Sequence, residues 1–121
     1  MPGWMEYLRL ATEHQASDVF FVAGKPACEK LEGHLRPLAE EKLLPADTRQ
    51  ILQEIYQAAG RDMDRFETLG DDDFSFAVPG LARFRVNTYR QRGSLAAVIR
   101  LVSFDDKVLF SLETGWQEVL P

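Results

Sequence analysis

The stretch GLARFRVNTYRQRG, residues 80–93, sets Arg83, Arg85, Arg90 and Arg92 close together with no Asp or Glu among them. Extended to 81–104 it gains Arg100 and still contains no acidic residue and no lysine. Guanidinium groups are planar forks of N–H donors that match carboxylate and phosphate oxygens two at a time. The chemistry on offer is therefore anion recognition. The whole chain carries a net charge of −5, and a basic island on an acidic body suits one small anionic target. Net charge and the lack of stacking aromatics around the arginines both count against nucleic acid as a partner. The same residues admit a blander reading, a solvated face whose charge is neutralised by Asp71–Asp73 on an adjoining strand. From the residues alone both readings stay open.

Other chemistries leave little trace. No G-x-x-x-x-G-K-[ST] run is present, so the chain has no phosphate-cradling loop of that type. His14 and His34 lack Cys or carboxylate partners at ligand spacing and read as surface or turn histidines, not metal ligands. The single Cys28 excludes an internal disulfide and suits a reducing compartment. It reads as an inert thiol. Asp71–Asp73 point different ways along a strand, so they read as solvated helix-end and turn residues rather than a Mg²⁺ site. With no Ser/His/Asp set either, the chain by itself is expected to catalyse nothing. No run approaches the ~18 apolar residues of a transmembrane segment, and no secretory h-region is visible. The expected location is the cytoplasm.

These side chains need elements to carry them. Residues 4–14 form an amphipathic helix with Trp4, Leu8 and Ala11 on one stripe. Residues 18–23 form a strand closed by Gly24 and Pro26, and weaker strands follow at 28–32 and 35–38 around an EGH turn. Pro45 opens a helix with Ile51, Leu52, Ile55 and Tyr56 as its apolar face and Gly60 as its cap. A shorter helix, RDMDRFETL, ends at Gly70. From Asp73 the pattern turns to period two. Phe74, Phe76 and Val78 lead into a Pro79–Gly80 turn, and strands at 82–89 and 95–102 complete an antiparallel meander.

Alternation along 82–89 puts Phe84, Val86 and Thr88 on one face and Arg83, Arg85, Asn87 and Tyr89 on the other. The apolar side must meet the helices, so Arg83 and Arg85 face outward. With a hairpin loop over 90–94, Arg85 lies opposite Arg100 in the register that gathers Leu95, Ala97, Ile99 and Leu101 on the buried side. A slip of one residue would send Arg100 to the core face. Arg90 and Arg92 fall in the loop and are candidates for contact with a partner subunit.

Three stretches carry a resemblance to a known family. ASDVFFVAGKPACEKLEGHLRPL (16–38), DDDFSFAVPGLARFRVNTYRQRGSLAAVIRLV (71–102) and SLETGWQEVL in the tail are similar to the N-terminal domain of the PilT/PilU-type ATPases. These are the retraction motors of type IV pilus twitching motility, in the type II/IV secretion ATPase superfamily. The most specific part pairs S-D and A-G-x-P with D-F-S-F-x-V-P-G-x-A-R-F-R-V-N. The strand often written S-D-L-H in the family reads Ser17-Asp18-Val19-Phe20-Phe21 here, without the histidine, and Lys30 replaces a common arginine. The resemblance implies an α+β fold, a PAS-like antiparallel sheet of about six strands with about three helices packed on it. It implies a PAS-like domain over 1–103, with 104–121 starting a linker toward a RecA-like ATPase domain that this chain lacks. It further implies a homohexamer in which this domain packs on a neighbour's ATPase domain, beside the inner-membrane pilus machinery. Arg83, Arg85 and Arg100 match the family arginines that approach the ATP phosphates, with ATP and Mg²⁺ as cofactors of the full-length parent only. The alternative expectation is a standalone PAS-like module that binds a ligand or protein, which would need an apolar pocket within the fold.

Overall fold

The computed structural model describes residues 3–104. The elements run α1 (Trp4–His14), β1 (Asp18–Val22), β2 (Cys28–Leu31), β3 (His34–Pro37), α2 (Pro45–Ala59), α3 (Asp64–Leu69), β4 (Asp71–Val78), β5 (Ala82–Gln91) and β6 (Ser94–Phe104). The strands make one antiparallel, curled six-stranded sheet in the order β3-β2-β1-β6-β5-β4. This is the expected α+β class. The expected linker segment, apart from Phe104 at the end of β6, lies outside the described residues.

Local chemistry sets the boundaries. Pro45 supplies the preset φ of a first helical residue, and Asp47 Oδ2 accepts the Leu44 N–H at 2.7 Å, which starts α2. Its end at Gly60, φ +67°, uses the left-handed conformation that glycine takes without a Cβ penalty. The third helix is shorter than RDMDRFETL suggests. Asp62 Oδ1 accepts the Asp64 N–H at 3.0 Å, so the residues before Asp64 form a capping turn instead of a helical one. The β2–β3 turn is tighter than an EGH loop. Only Glu32 (φ +51°) and Gly33 (φ +80°) lie between the strands, with His34 already paired to Leu31.

The core lies between the helices and one sheet face. Trp4, Tyr7, Leu8 and Ala11 of α1 meet Val19, Phe21, Phe76, Phe84, Val86 and Ile99, while Leu52, Tyr56 and Phe66 of α2 and α3 close over Leu95 and Ala97. Tilted aromatic pairs tie the layers, Trp4–Phe76 and Tyr7–Phe21 each at 6.1 Å between centroids. Burying one such large side chain stabilises by roughly 1.5–3 kcal/mol. The core therefore dictates which way each strand faces. Every other residue of β1, β4, β5 and β6 is then turned to the face that none of the described helices covers.

Candidate anion-contacting face

That face carries the arginines. Arg85 on β5 pairs directly with Arg100 on β6, and Arg100 in turn pairs with Asp18 on β1. The register that buries Leu95, Ala97 and Ile99 is the observed one, so Arg100 points away from the core. An irregularity between Arg83 and Phe84 pairs Arg83 with Ser103 and leaves Val102 exposed. Arg83, Arg85 and Arg100 thus share one face.

Their partners differ. Arg85 makes a bidentate pair with Asp73, Nε to Oδ1 at 3.0 Å and Nη2 to Oδ2 at 2.8 Å. That guanidinium holds the Asp73 carboxyl below its usual range, and Asp73 raises Arg85 in return. Arg100 is held by one bond, Nε to Asp18 Oδ1 at 3.1 Å, while Ser17 Oγ donates to Asp18 Oδ2 at 2.7 Å. Asp18 is only 5% exposed, whereas the Arg100 side chain is 71% exposed. Arg83 makes no ion pair among the described residues. Among the described residues, two of these arginines are thus tied to carboxylates and one is not.

Of the other two arginines, one lies elsewhere than expected. Arg90 belongs to β5, paired with Leu95, and its guanidinium lies 5.1 Å from the centre of the Phe66 ring on the helix side. The β5–β6 turn holds only Arg92 (φ +53°) and Gly93 (φ +81°), the positive-φ pair that matches strand twist in a two-residue hairpin. Of the expected loop pair, only Arg92 is in the turn.

Reading Asp71–Asp73 as uniformly solvated is overturned by the middle residue. Asp72 is 2% exposed and faces the core. It accepts Arg61 Nε at 2.9 Å, Arg61 Nη2 at 2.8 Å, Tyr56 Oη at 2.9 Å and its neighbour's N–H at 2.9 Å. Tyr56 Oη donates to the carboxylate, so the 2.8 Å contact with Thr88 Oγ1 uses the threonine proton. Hydrogen bonding to Arg61, foremost, holds Asp72 below the usual carboxylate range, while burial pushes the Tyr56 phenol up to about 12. His14 likewise has a carboxylate partner. Its Nδ1 lies 2.8 Å from Oε2 of Glu29, which is 1% exposed and also accepts Arg36 Nη2 at 2.9 Å. Period two already put Asp72 in line with Phe74 and Phe76, whereas Glu29 is set beside Val19 only by strand pairing. For Asp72 the alternation was the available signal. No group of three or more His, Cys, Asp or Glu that could hold a metal occurs among the described residues.

No protein-family model matches the chain. It is 36% identical over 115 residues to the type IV pilus retraction ATPase PilT of Pseudomonas aeruginosa, covering 94% of this chain and 32% of that protein. It is 31% identical over 107 residues to the type IV pilus ATPase PilU of the same organism, covering 88% of this chain and 27% of PilU. A crystal structure of the pilus retraction motor PilT with bound ADP superposes with a TM-score of 0.73 at 34% identity, over 84% of this chain and 29% of that one. Over almost its whole length the chain is similar to the N-terminal region of the type IV pilus retraction ATPases. The Legionella pneumophila ATPase DotB shares the fold at 20% identity, TM-score 0.65, over 82% of this chain and 28% of DotB. The chain spans about a third or less of the length of the curated relatives it matches. Among its described residues, no helix is long and apolar enough to cross a membrane.

Proposed function

We propose that this domain regulates and helps assemble a hexameric pilus-retraction ATPase, packing on the ATPase domain of a neighbouring subunit and offering Arg83, Arg85 and Arg100 to the phosphates of bound ATP. The observation that carries this is the sheet face away from the described helices, where three arginines lie together and one, Arg83, has no ion pair among the described residues. A guanidinium delivered by domain closure stabilises charge spreading over phosphoryl oxygens. Asp73 and Asp18 hold the other two until a phosphate competes for them. ATP and Mg²⁺ belong to the ATPase domain, consistent with the ADP bound to the PilT motor. The assembly works at the cytoplasmic face of the inner membrane, beside the pilus machinery. ATP turnover of the full-length protein carrying Arg83→Ala tests this role.

A standalone module that holds a ligand in an apolar pocket inside the fold is the less favoured reading. The space between α1 and the sheet, bounded by Ala11, Val19, Phe84 and Ile99, is about 10 Å³. That is room for about one water molecule.

A further inference from the structure

Far from the Arg83 end of β5, three separate segments meet at the β5–β6 turn. The β1–β2 loop is laced to the segment before α2 by two backbone bonds, Gly24 N–H to the Leu43 carbonyl at 2.8 Å and Leu43 N–H to the Lys25 carbonyl at 2.9 Å. The Arg92–Gly93 turn stands beside them, because Val22 at the end of β1 pairs with Ala96 near the start of β6. Between these segments opens a cleft of about 610 Å³, within the range of small-molecule sites. Val22, Leu43 and Pro45 give it apolar walls, and Lys25, Lys42 and Arg92 line it with positive charge.

The charge balance here differs from the rest of the molecule. No Asp or Glu lines the cleft, although the chain as a whole is at −5. None of the three cations makes an ion pair among the described residues, in contrast to Arg36, Arg61, Arg85 and Arg100. Of the acids adjoining in sequence, Asp47 accepts the Leu44 N–H, and Glu40 and Glu41 are exposed and do not line the cleft. Three like charges around one cleft repel unless an anion joins them. Their convergence suits a group of high charge density, and Lys serves phosphate as a point charge while Arg adds a planar fork. Backbone bonds fix the walls beforehand, which limits the ordering cost of binding.

We propose that this cleft binds a phosphate-bearing ligand, with Lys25, Lys42 and Arg92 on the phosphate and the Val22–Leu43–Pro45 wall against its apolar part. This site is separate from the Arg83–Arg85–Arg100 face and does not depend on the function proposed for that face.

The test is a titration of the 121-residue chain with inorganic pyrophosphate, followed by amide chemical shifts at low salt. The expected result is saturable shifts at residues 22–25, 42–45 and 91–94, weakened at least about tenfold in Lys25→Gln/Lys42→Gln/Arg92→Asn and unaltered in Arg83→Gln. Asn is used at position 92 because it tolerates positive φ. Lys25→Gln and Lys42→Gln alone, both at exposed positions, should each weaken binding about threefold, which covers the case in which the triple variant fails to fold. Phosphatidylglycerol vesicles identify the source of the phosphate. Vesicle binding that pyrophosphate displaces, and that needs the same three cations, assigns the site to a lipid headgroup, whereas pyrophosphate binding without vesicle binding assigns it to a soluble phosphate. Shifts confined to the Arg83–Arg85–Arg100 face, no saturable shifts at all, or undiminished binding by the folded variants would overturn the proposal.

Discussion

Arg85 and Arg100 stand directly opposite one another on β5 and β6, and each turns to a carboxylate on its other side. Like charges so placed destabilise a ladder, and Asp73 and Asp18 offset this from the two flanking strands. The two carboxylates are not equivalent. Asp73 is half-exposed, whereas Asp18 is buried and also accepts a hydrogen bond from Ser17. Asp18→Asn should therefore lower unfolding stability by about 1 kcal/mol, while Asp73→Asn changes it little. Urea titration of the two variants distinguishes them, and equal losses would show that burial at Asp18 has no energetic consequence.

Asp72 sets the acid limit of the fold. Its carboxyl, like that of Asp73, ionises below its ordinary value in the folded state, chiefly through hydrogen bonds from Arg61 and Arg85 respectively. The stability this contributes is fully present above the unfolded carboxylate range of about 3.9 and is lost as pH falls through the lower folded value. The urea midpoint of the parent should drop steeply below about pH 4. Asp72→Ala should cost about 3 kcal/mol at pH 7 and flatten that drop. A parent-like acid profile in this variant would remove Asp72 from the explanation.

Tyr56 bears on the alkaline side. Burial raises its phenol to about 12, so the neutral form is the one the fold favours. That contribution is complete below the unfolded value of about 10 and disappears as pH rises toward the folded one. Absorbance titration should show one tyrosine ionising near pH 12 that is missing from Tyr56→Phe. The variant should also lose about 1 kcal/mol, since Thr88 and Asp72 each give up a partner. A stable variant with an unchanged titration would contradict both expectations.

Tyr7 offers the opposite case. Its hydroxyl is buried and has no hydrogen-bond partner among the described residues. Removing an unsatisfied buried polar atom without changing ring shape stabilises by up to about 1 kcal/mol. Tyr7→Phe should thus raise the thermal midpoint, as read by circular dichroism. A clear decrease would mean that the hydroxyl has a partner in solution.

Much of this was legible in the residues, and what was not has identifiable causes. Period two in 73–78 and 82–89 placed Phe84 and Val86 inward and Arg83 and Arg85 outward, because a half-buried strand leaves no other choice. The requirement to bury Ile99 and Leu95 fixed the Arg100 side in the same way. Arg90 was misplaced because a polar run reads as a loop, although Gly93 alone suffices for a two-residue turn and lets both strands run on. Asp72 was misread because acids are presumed solvated. Its partners Tyr56 and Arg61, and Thr88 that bonds Tyr56 in turn, come from α2, the segment after it and β5, far apart in sequence. The Lys25–Lys42–Arg92 cleft is equally non-local and left no trace in spacing.

The measurement closest to the central claim is ATP turnover of the full-length ATPase carrying Arg83→Ala, with hexamer assembly and thermal midpoint as controls. Arginines that reach transferring phosphates contribute about 10³–10⁵ in rate. Turnover should therefore fall by about two orders of magnitude or more with assembly and folding intact, and Arg83→Lys should recover only part of it. Wild-type turnover in an assembled Arg83→Ala hexamer would contradict the phosphate-contacting role and leave the arginine face a structural feature.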